Sequence, residues 1–187
     1  MGNLTKLQFL DLRDNLIQGQ IPADMFDRLP RLQGLYLEMN GLSGRIPTSL
    51  GNNLIQGVIP QQIGDLRNLE ILSIFSNTLL RGPLLPTISN LTNLRIIQLS
   101  NNSLTGQIPS DMFDPKEIGN LTMLGTLRLN HNLIEGEIPR QIGDLVNLET
   151  LAIGSNMLKG QLLPSITNLT RLRYLDLTNN SLTAPTK

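Results

Sequence analysis

Leucine and isoleucine recur at fixed offsets along this chain, and the same pattern of positions returns many times. Residues 121–144 and 145–168 show the pattern most clearly, and each approximates LxxLxxLxLxxNxLxGxIPxxIGx. A repeat of about 20–29 residues with leucines at fixed offsets indicates a solenoid. One unit cannot bury its own apolar side, so successive units must stack and share a continuous core.

The two halves of the unit predict different local structures. Leu127 and Leu129 alternate with polar residues, as in a short strand whose leucines point inward. Asn132 follows, and a buried asparagine at a strand exit can bond backbone groups of its own and adjacent coils. Gly136 permits a bend, and Pro139 begins an extended or 3₁₀ return segment. Each unit therefore predicts one flattened coil.

The pattern predicts a single domain over residues 1–187 with one parallel strand per coil. Right-handed crossovers are the rule for such units, so the solenoid is expected to be right-handed. Seven strands are predicted, at about 8–13, 33–38, 70–75, 95–100, 125–130, 149–154 and 173–178.

Two intervals between successive marker asparagines depart from the period. The markers are Asn15, Asn40, Asn53, Asn77, Asn102, Asn132, Asn156 and Asn180. Asn53 follows Asn40 after only half a repeat, which predicts a register break near 50–53 with one strand missing. Asn132 follows Asn102 after more than a full repeat, which predicts an insertion near 110–117. Because solenoid stability depends on coupling between neighbours, residues 1–52 are expected to be weakly held or displaced.

The spacing, and above all LxGxIPxxIGxL, resembles the plant-specific class of leucine-rich repeats (LRR). That class forms the ectodomains of plant receptor-like kinases and receptor-like proteins, and polygalacturonase-inhibiting proteins. The resemblance implies an α/β leucine-rich repeat solenoid, a curved horseshoe with a 3₁₀ or irregular convex side. It implies recognition of a protein or peptide ligand in signalling or defence, with a co-receptor as a further partner.

The resemblance also implies an extracellular glycoprotein, part of a longer receptor at the plasma membrane. The cysteines that such ectodomains carry in flanking caps are absent, and the chain contains no cysteine. The first residues lack the layout of a signal peptide, and no apolar run approaches the length of a membrane-spanning helix.

Two other functions are compatible with this class. The chain could inhibit a secreted cell-wall hydrolase, as polygalacturonase-inhibiting proteins do. It could also present an ice-binding surface, which needs flat and regular rows of Thr or Asn. The predicted row Ser73, Gln98, Arg128, Ala152 and Asp176 is irregular, which disfavours ice binding.

Composition argues against catalysis and against nucleic acid as a partner. Fifteen basic residues balance fifteen acidic ones, and no basic run or set of stacking aromatics stands out. The single histidine, His131, has neither a cysteine nor a second histidine as a metal-binding partner. We therefore expect no enzyme activity, no metal and no cofactor.

The expected binding surface is the concave face, formed by the outward-pointing strand residues. Exposed aromatic and aliphatic side chains among polar ones are typical of recognition surfaces, although singly exposed apolar residues are also common. The candidate residues are Phe9, Asp11, Arg13, Tyr36, Glu38, Ile71, Ser73, Phe75, Ile96, Gln98, Arg128, Asn130, Tyr174 and Asp176.

Six N-glycosylation sequons fit an extracellular protein. They lie at Asn3, Asn90, Asn101, Asn120, Asn168 and Asn179. Four of them share the context Asn-Leu-Thr at one repeat position, where glycans would lie off the concave face. Alternatively, Asn and Thr simply suit that turn.

Overall fold

Seven short strands form one sheet whose pairs are all parallel and follow chain order. The structure, a computed structural model, describes residues 4–19, 21, 24–42, 58–77, 80–113 and 121–184. The strands are β1 (Phe9–Asp11), β3 (Gly34–Tyr36), β5 (Ile71–Ser73), β7 (Ile96–Gln98), β9 (Thr126–Arg128), β11 (Thr150–Ala152) and β13 (Tyr174–Asp176). Each lies within its predicted range, which confirms the α/β solenoid with one strand per coil.

The chain returns on the opposite side through single turns of helix. These are α1 (Asp24–Asp27) and the 3₁₀ helices Gln61–Asp65, Pro86–Asn90, Ser110–Met112, Arg140–Asp144 and Pro164–Asn168. A proline occupies the first position of two of these 3₁₀ helices and directly precedes the other three. Its fixed φ sets the extended approach to the turn.

Between strand and return segment, short parallel ladders join neighbouring coils. One ladder pairs β2 (Gln18–Gly19) with β4 (Gly41–Leu42), and another pairs β6 (Arg81–Pro83) with β8 (Ser103–Thr105). A third contains β10 (Glu135–Gly136), β12 (Met157–Gln161) and β14 (Ser181–Thr183). Adjacent coils are therefore hydrogen-bonded at more than one place around their circumference.

Aliphatic side chains from both sides of each coil fill the core. Leu35, Leu72, Leu127 and Leu151, at the centres of their strands, have no exposed surface. They alternate with the outward residues, as period-two patterning requires. Each such side chain contributes about 1.5–3 kcal/mol when buried, and that burial needs a neighbouring coil on each side. Leu175, in the same position of β13, is 44% exposed.

A ladder of asparagines joins the coils at the strand exits. Asn132 donates from Nδ2 to the carbonyls of Leu129 in its own coil (2.9 Å) and Leu99 in the preceding coil (3.0 Å). Its Oδ1 accepts the Leu104 N–H at 3.0 Å. Asn40, Asn102, Asn156 and Asn180 likewise bond carbonyls in both coils and accept an N–H from the preceding coil. The predicted role of these residues is confirmed.

The residue before each ladder asparagine adopts a left-handed backbone conformation. These residues are Asp14, Met39, Ser76, Asn101, His131, Ser155 and Asn179, with φ between 49° and 57°. Asn, Asp and His tolerate this region better than most residues, whereas an unbranched apolar side chain gains nothing there. Among the described residues at this position, Met39 is therefore the apolar one that the fold places in an unfavourable conformation.

A second row of asparagines, which we did not recognise from the sequence, lies at a different position of the repeat from the ladder. Asn68, Asn93 and Asn147 donate from Nδ2 to a carbonyl of the preceding coil at 3.0, 3.0 and 2.8 Å. Each precedes the second leucine of LxxL. The recurrence of Asn at that position could have predicted this second row from the sequence.

The sheet runs without interruption past the predicted register break. Strand β3 pairs with β5 in register, Gly34 opposite Ile71 and Tyr36 opposite Ser73. The 3₁₀ helix Gln61–Asp65 packs directly against α1. One coil therefore combines the strand of the second unit with the return segment at 58–65, and residues 43–57 connect them. The expected displacement of residues 1–52 is wrong for the described part of that block.

The ladder crosses the break from Asn40 directly to Asn77. Asn77 Nδ2 donates to the Leu37 carbonyl at 3.1 Å, so Asn77 takes the rung that the sequence assigned to Asn53. The fit is incomplete, because Asn77 Oδ1 is buried with no hydrogen-bond partner in the described part of the chain. The expected break at 50–53 and Asn53 itself lie outside the described residues.

The predicted insertion near 110–117 begins with a regular return segment. Ser110–Met112 forms a 3₁₀ helix, and Met112 and Phe113 are each 1% exposed. Met112 thus takes the buried position after the return-segment proline that Ile142 takes in the regular unit at 121–144. Residues 114–120, which include Ile118 and the rest of the insertion, lie outside the described ranges.

Replacing a ladder asparagine should destabilise the solenoid more than replacing one in the second row. Asn132→Ala leaves buried backbone groups of two coils unpaired, each costing about 1–3 kcal/mol, so we expect a total loss of roughly 3 kcal/mol or more. Asn93→Ala, the control, loses one exposed bond and should cost about 1 kcal/mol. Urea unfolding measures both variants, and equal costs would contradict the assigned role of the ladder.

Hydrogen exchange tests whether the register break weakens the sheet. The Leu37 N–H donates to Ser73 O at 2.9 Å across the break, and the Leu129 N–H donates to Ala152 O at 2.8 Å in a regular region. We expect similar protection of the two amides. Exchange at Leu37 faster by two orders of magnitude or more would instead show a weakly held N-terminal block.

Candidate functional site

The outward residues of the seven strands form three rows across one sheet face. The register places Phe9, Gly34, Ile71, Ile96, Thr126, Thr150 and Tyr174 in the first row. The second contains Asp11, Tyr36, Ser73, Gln98, Arg128, Ala152 and Asp176. The third contains Arg13, Glu38, Phe75, Ser100, Asn130, Gly154 and Thr178, the residues two positions further along each coil. We call this surface the sheet face.

Part of the sheet face is recessed into a groove of about 500 Å³. We call it the aromatic groove, and it is lined by Arg13, Asp14, Tyr36, Glu38, Met39, Ile71, Ser73, Phe75, Ile96 and Gln98. Eight of these were candidates from the sequence. Asp14 and Met39 were missed, because the left-handed turn before each ladder asparagine was not foreseen.

The remaining candidates lie on the sheet face outside the groove. They are Phe9, Asp11, Arg128, Asn130, Tyr174 and Asp176. Phe9 and Tyr174 are 56% and 53% exposed, at the two ends of the first row. The groove therefore brings together candidates from the coils of β1, β3, β5 and β7, whereas the candidates on the coils of β9 and β13 lie apart from it.

The walls of the groove are apolar. Tyr36, Ile71, Phe75 and Ile96 are each half-buried and surround its opening. Gly34 makes room on one side, since a Cβ there would lie 2.7 Å from Phe9 Cδ1 and 2.9 Å from Tyr36 Cε2. The absent side chain therefore lets both rings lean toward each other across β3.

Two polar side chains are buried within this apolar region. Glu38 and Ser73 are each 4% exposed, although the sequence placed them among the outward-facing residues. The Ser73 hydroxyl donates to Glu38 Oε1 at 3.0 Å. Glu38 Oε2 is covered and has no hydrogen-bond partner among the described residues. Both still line the groove, so their position was predicted correctly and their exposure was not.

The positive charge at the rim is already paired. Arg13 Nε donates to Asp11 Oδ1 at 2.8 Å and Nη2 donates to Oδ2, so the carboxylate is held by two bonds. The guanidinium carbon also lies 5.2 Å from the centroid of the Tyr36 ring, a cation–π distance. The hydrogen bonds from Arg13 hold the pKa of the Asp11 carboxyl below its ordinary value of 3.8.

The other half of the sheet face is polar. Asp176 leans over Gly154, where a Cβ would lie 2.5 Å from Asp176 Oδ1, and it accepts the Thr178 hydroxyl at 2.7 Å. Ser100 donates to Asn130 Oδ1 at 2.8 Å. These groups are satisfied by one another, so the described residues of this half present no buried, unpartnered carboxylate oxygen like that of Glu38.

A second depression lies on the other side of the coils. Its volume is about 790 Å³, and residues 107–111 and 136–140 contribute most of its lining, with Lys159 and Leu163. It contains none of the predicted binding residues. Its lining contains two acidic residues, Asp111 and Glu137, and two basic residues, Arg140 and Lys159. These charges balance, so the net charge of the lining favours no ligand class.

The predicted glycosylation sites within the described ranges are accessible. Asn90 and Asn168 end 3₁₀ helices on the return side, and Asn101 and Asn179 follow strands; all four are exposed. Asn3 and Asn120 lie outside the described residues. His131 is an exposed turn residue, as expected. In the described ranges, no three His, Asp or Glu residues cluster as a metal site, and no helix is long and apolar enough to cross a membrane.

Comparison with known proteins agrees with this geometry. The Leucine Rich Repeat family profile matches residues 6–27, 31–53, 93–121 and 171–186. The LRR receptor-like serine/threonine-protein kinase EFR of Arabidopsis thaliana is 35% identical over 74 residues, which cover 40% of this chain and 6% of that protein. The match to a crystallised plant receptor kinase is more extensive.

That structure is the LRR ectodomain of GASSHO1/SCHENGEN3 from Arabidopsis thaliana, in complex with CASPARIAN STRIP INTEGRITY FACTOR 2. It superposes with a TM-score of 0.81 at 32% identity, over 96% of this chain and 19% of that one. This chain thus has the leucine-rich repeat fold. Its sequence and backbone are similar to those of the ectodomains of plant receptor-like kinases, and it spans only a small part of the length of these relatives.

The same fold also serves a different purpose in plants. A plant ice-binding protein superposes with a TM-score of 0.70 at 27% identity, over 92% of this chain and 57% of that protein. The likeness extends to the backbone, but the second row here mixes Asp, Tyr, Ser, Gln, Arg and Ala. Such a row offers no flat, regular array of hydroxyls or amides, so the side chains of the sheet face do not favour ice binding.

Removing the guanidinium of Arg13 should raise the pKa of Asp11. The folded-state pKa is depressed, so the stabilisation from this pair is present above the unfolded pKa and is lost as pH falls through the folded value, below 3.8. In Arg13→Gln, the Asp11 carboxyl should titrate closer to 3.8, as followed by carbon NMR. Arg128→Gln, on the same face, is the control, and an equal shift in both variants would contradict a local pairing.

Proposed function

We propose that this chain is a ligand-recognition module of a plant cell-surface receptor and that it binds a peptide on the sheet face. The observation that carries the proposal is the aromatic groove, which is lined by half-buried Tyr36, Phe75, Ile71 and Ile96 together with the buried carboxylate of Glu38. Aromatic anchors beside mixed polar groups are the composition of binding hot spots.

The shape of the surface favours an extended ligand. The groove opens on a sheet of seven strands, spaced about 4.8 Å apart, so a chain laid across them would meet one set of side chains per coil. Its apolar part spans the first four strands and its polar part the last three. A peptide could therefore anchor a hydrophobic segment in the groove and extend polar residues toward β13.

The relatives support the same kind of activity. The GASSHO1/SCHENGEN3 ectodomain was crystallised with CASPARIAN STRIP INTEGRITY FACTOR 2, and a further structure that matches 96% of this chain is of PEPR1 with AtPEP1. We infer an extracellular location, a role in signalling or defence, and a co-receptor as a second partner. Exposed sequons at Asn90, Asn101, Asn168 and Asn179 fit this location.

A selection from a random peptide library tests the proposal. Peptides that bind the wild-type chain should lose affinity for the double variant Tyr36→Ala, Phe75→Ala by about 2 kcal/mol or more, roughly 30-fold, if both rings are hot spots. Thermal unfolding should show only a modest loss, since both rings are half-buried.

The control is Tyr174→Ala, which removes an exposed aromatic ring from the same face outside the groove. Because Tyr174 lies at the far end of the sheet face, the expected loss of affinity is much smaller than for the double variant. Peptides that bind equally to all three proteins would contradict the proposed site. Inhibition of a secreted cell-wall hydrolase by the chain, with no peptide selected, would favour the hydrolase-inhibitor alternative instead.

A further inference from the structure

Glu38 carries a buried charge that the protein itself leaves half-satisfied. Its side chain is on the sheet face but only 4% exposed. One carboxylate oxygen accepts the Ser73 hydroxyl at 3.0 Å, and the other has no partner among the described residues. Removing a carboxylate from water is costly unless it is paired and hydrogen-bonded. The groove therefore contains a carboxylate that lacks an ion-pair contact in the described structure.

The basic side chain of the groove forms no ion pair with Glu38 in the described structure. Arg13 lines the same groove, but both its Nε and Nη2 donate to Asp11. Glu38 acts on the Arg13 guanidinium only through space, and more weakly than Asp11 does. The guanidinium carbon also lies 5.2 Å from the centroid of the Tyr36 ring. Arg13 therefore leaves Glu38 Oε2 without a hydrogen-bond donor.

The surroundings of Glu38 match the chemistry of a cation. Tyr36 and Phe75 line the groove on neighbouring coils, and aromatic faces attract ammonium and guanidinium groups. Ile71 and Ile96 add apolar surface to the groove, and lower local polarity strengthens a charge-assisted hydrogen bond to the carboxylate. An anionic centre with aromatic walls recognises the head of a basic side chain and the methylenes behind it.

We propose that the aromatic groove selects peptides through a basic side chain, arginine or lysine, that pairs with Glu38. The inference rests on the proposed function and adds the chemical class of the residue that the ligand must carry. Among the described residues, no other acidic or histidine ligands group around this carboxylate to make a metal site, so an organic cation is the fitting partner. Ser73 acts as a positioning residue that holds Oε1. Oε2 is covered in the unliganded groove, so pairing with the ligand requires the side chains over it to move.

The test uses N-acetylated versions of the selected peptides, so that no terminal amine competes with the side chain. Each peptide is compared with a version in which citrulline replaces arginine, or acetyl-lysine replaces lysine, which removes the charge and retains most of the shape. Fluorescence anisotropy measures Kd for the wild-type chain, Glu38→Gln and Glu135→Gln. Glu135 is an exposed glutamate on β10, outside the groove, and serves as the matched control.

We expect neutralisation of the peptide to weaken binding at least 10-fold with the wild-type chain and with Glu135→Gln. With Glu38→Gln the charged and neutral peptides should bind alike, because the partner of the charge is gone. Glu38→Gln keeps the acceptor for Ser73 and removes a buried charge, so its melting temperature should not fall. The comparison of charged and neutralised peptides needs only the wild-type chain, so it can be made even if Glu38→Gln does not fold.

Two results would overturn the inference and can be told apart. In the first, peptides need Tyr36 and Phe75 for binding but contain no basic residue, or neutralising their basic residue weakens binding equally for the wild-type chain and for Glu38→Gln. Either outcome would exclude the role of Glu38 and leave the proposed function intact. Peptides whose binding depends on neither ring would remove the proposed function, and this inference with it.

Discussion

The structure depends on hydrogen bonds that join each coil to the one before it. A flattened coil turns sharply at the strand exit, and the backbone groups there cannot all pair within the coil. One asparagine per coil supplies two donors and an acceptor at that place, and its partners lie in both coils. The ladder thereby fixes the register of the sheet, and the register fixes which outward side chains become neighbours.

Register gives the sheet face its two halves. Because β3, β5 and β7 are aligned residue for residue, Tyr36, Ile71, Phe75 and Ile96 meet although they lie far apart in the chain. The same alignment buries Glu38 against Ser73. A one-residue slip would turn these side chains into the core. The candidate binding surface therefore follows directly from the pairing of the strands and from the turns at their ends.

Sequence periodicity was sufficient to place the seven strands, the return segments and the ladder, since each depends on contacts that repeat in every coil. It was also sufficient to choose eight of the ten groove residues, because alternation within a strand decides which side chains face outward. The burial of Glu38 depends on a particular serine in the next coil, and the involvement of Met39 depends on a left-handed turn. A repeat pattern cannot predict such contacts, because each of them occurs in one coil and does not recur in the others.

The register break shows where counting residues reaches its limit. The count predicted that one strand is missing near 50–53, and in the sheet β3 pairs directly with β5. It also led us to expect a displaced N-terminal block, because it assumes that each return segment belongs to the strand before it in the chain. The structure instead joins the strand at Gly34–Tyr36 to the return segment at Gln61–Asp65. Among the described residues, the unpaired Oδ1 of Asn77 lies at this junction.

That composite coil has a consequence for how such proteins can change over time. The half of a coil that carries recognition and the half that carries packing are separable modules, since a strand from one unit shares a coil with the return segment of another. Gene rearrangements inside a unit can then add or delete chain on the return side while the order and spacing of ligand-facing side chains stay the same. The spacing between neighbouring strands of the sheet therefore does not depend on the length of chain that connects them.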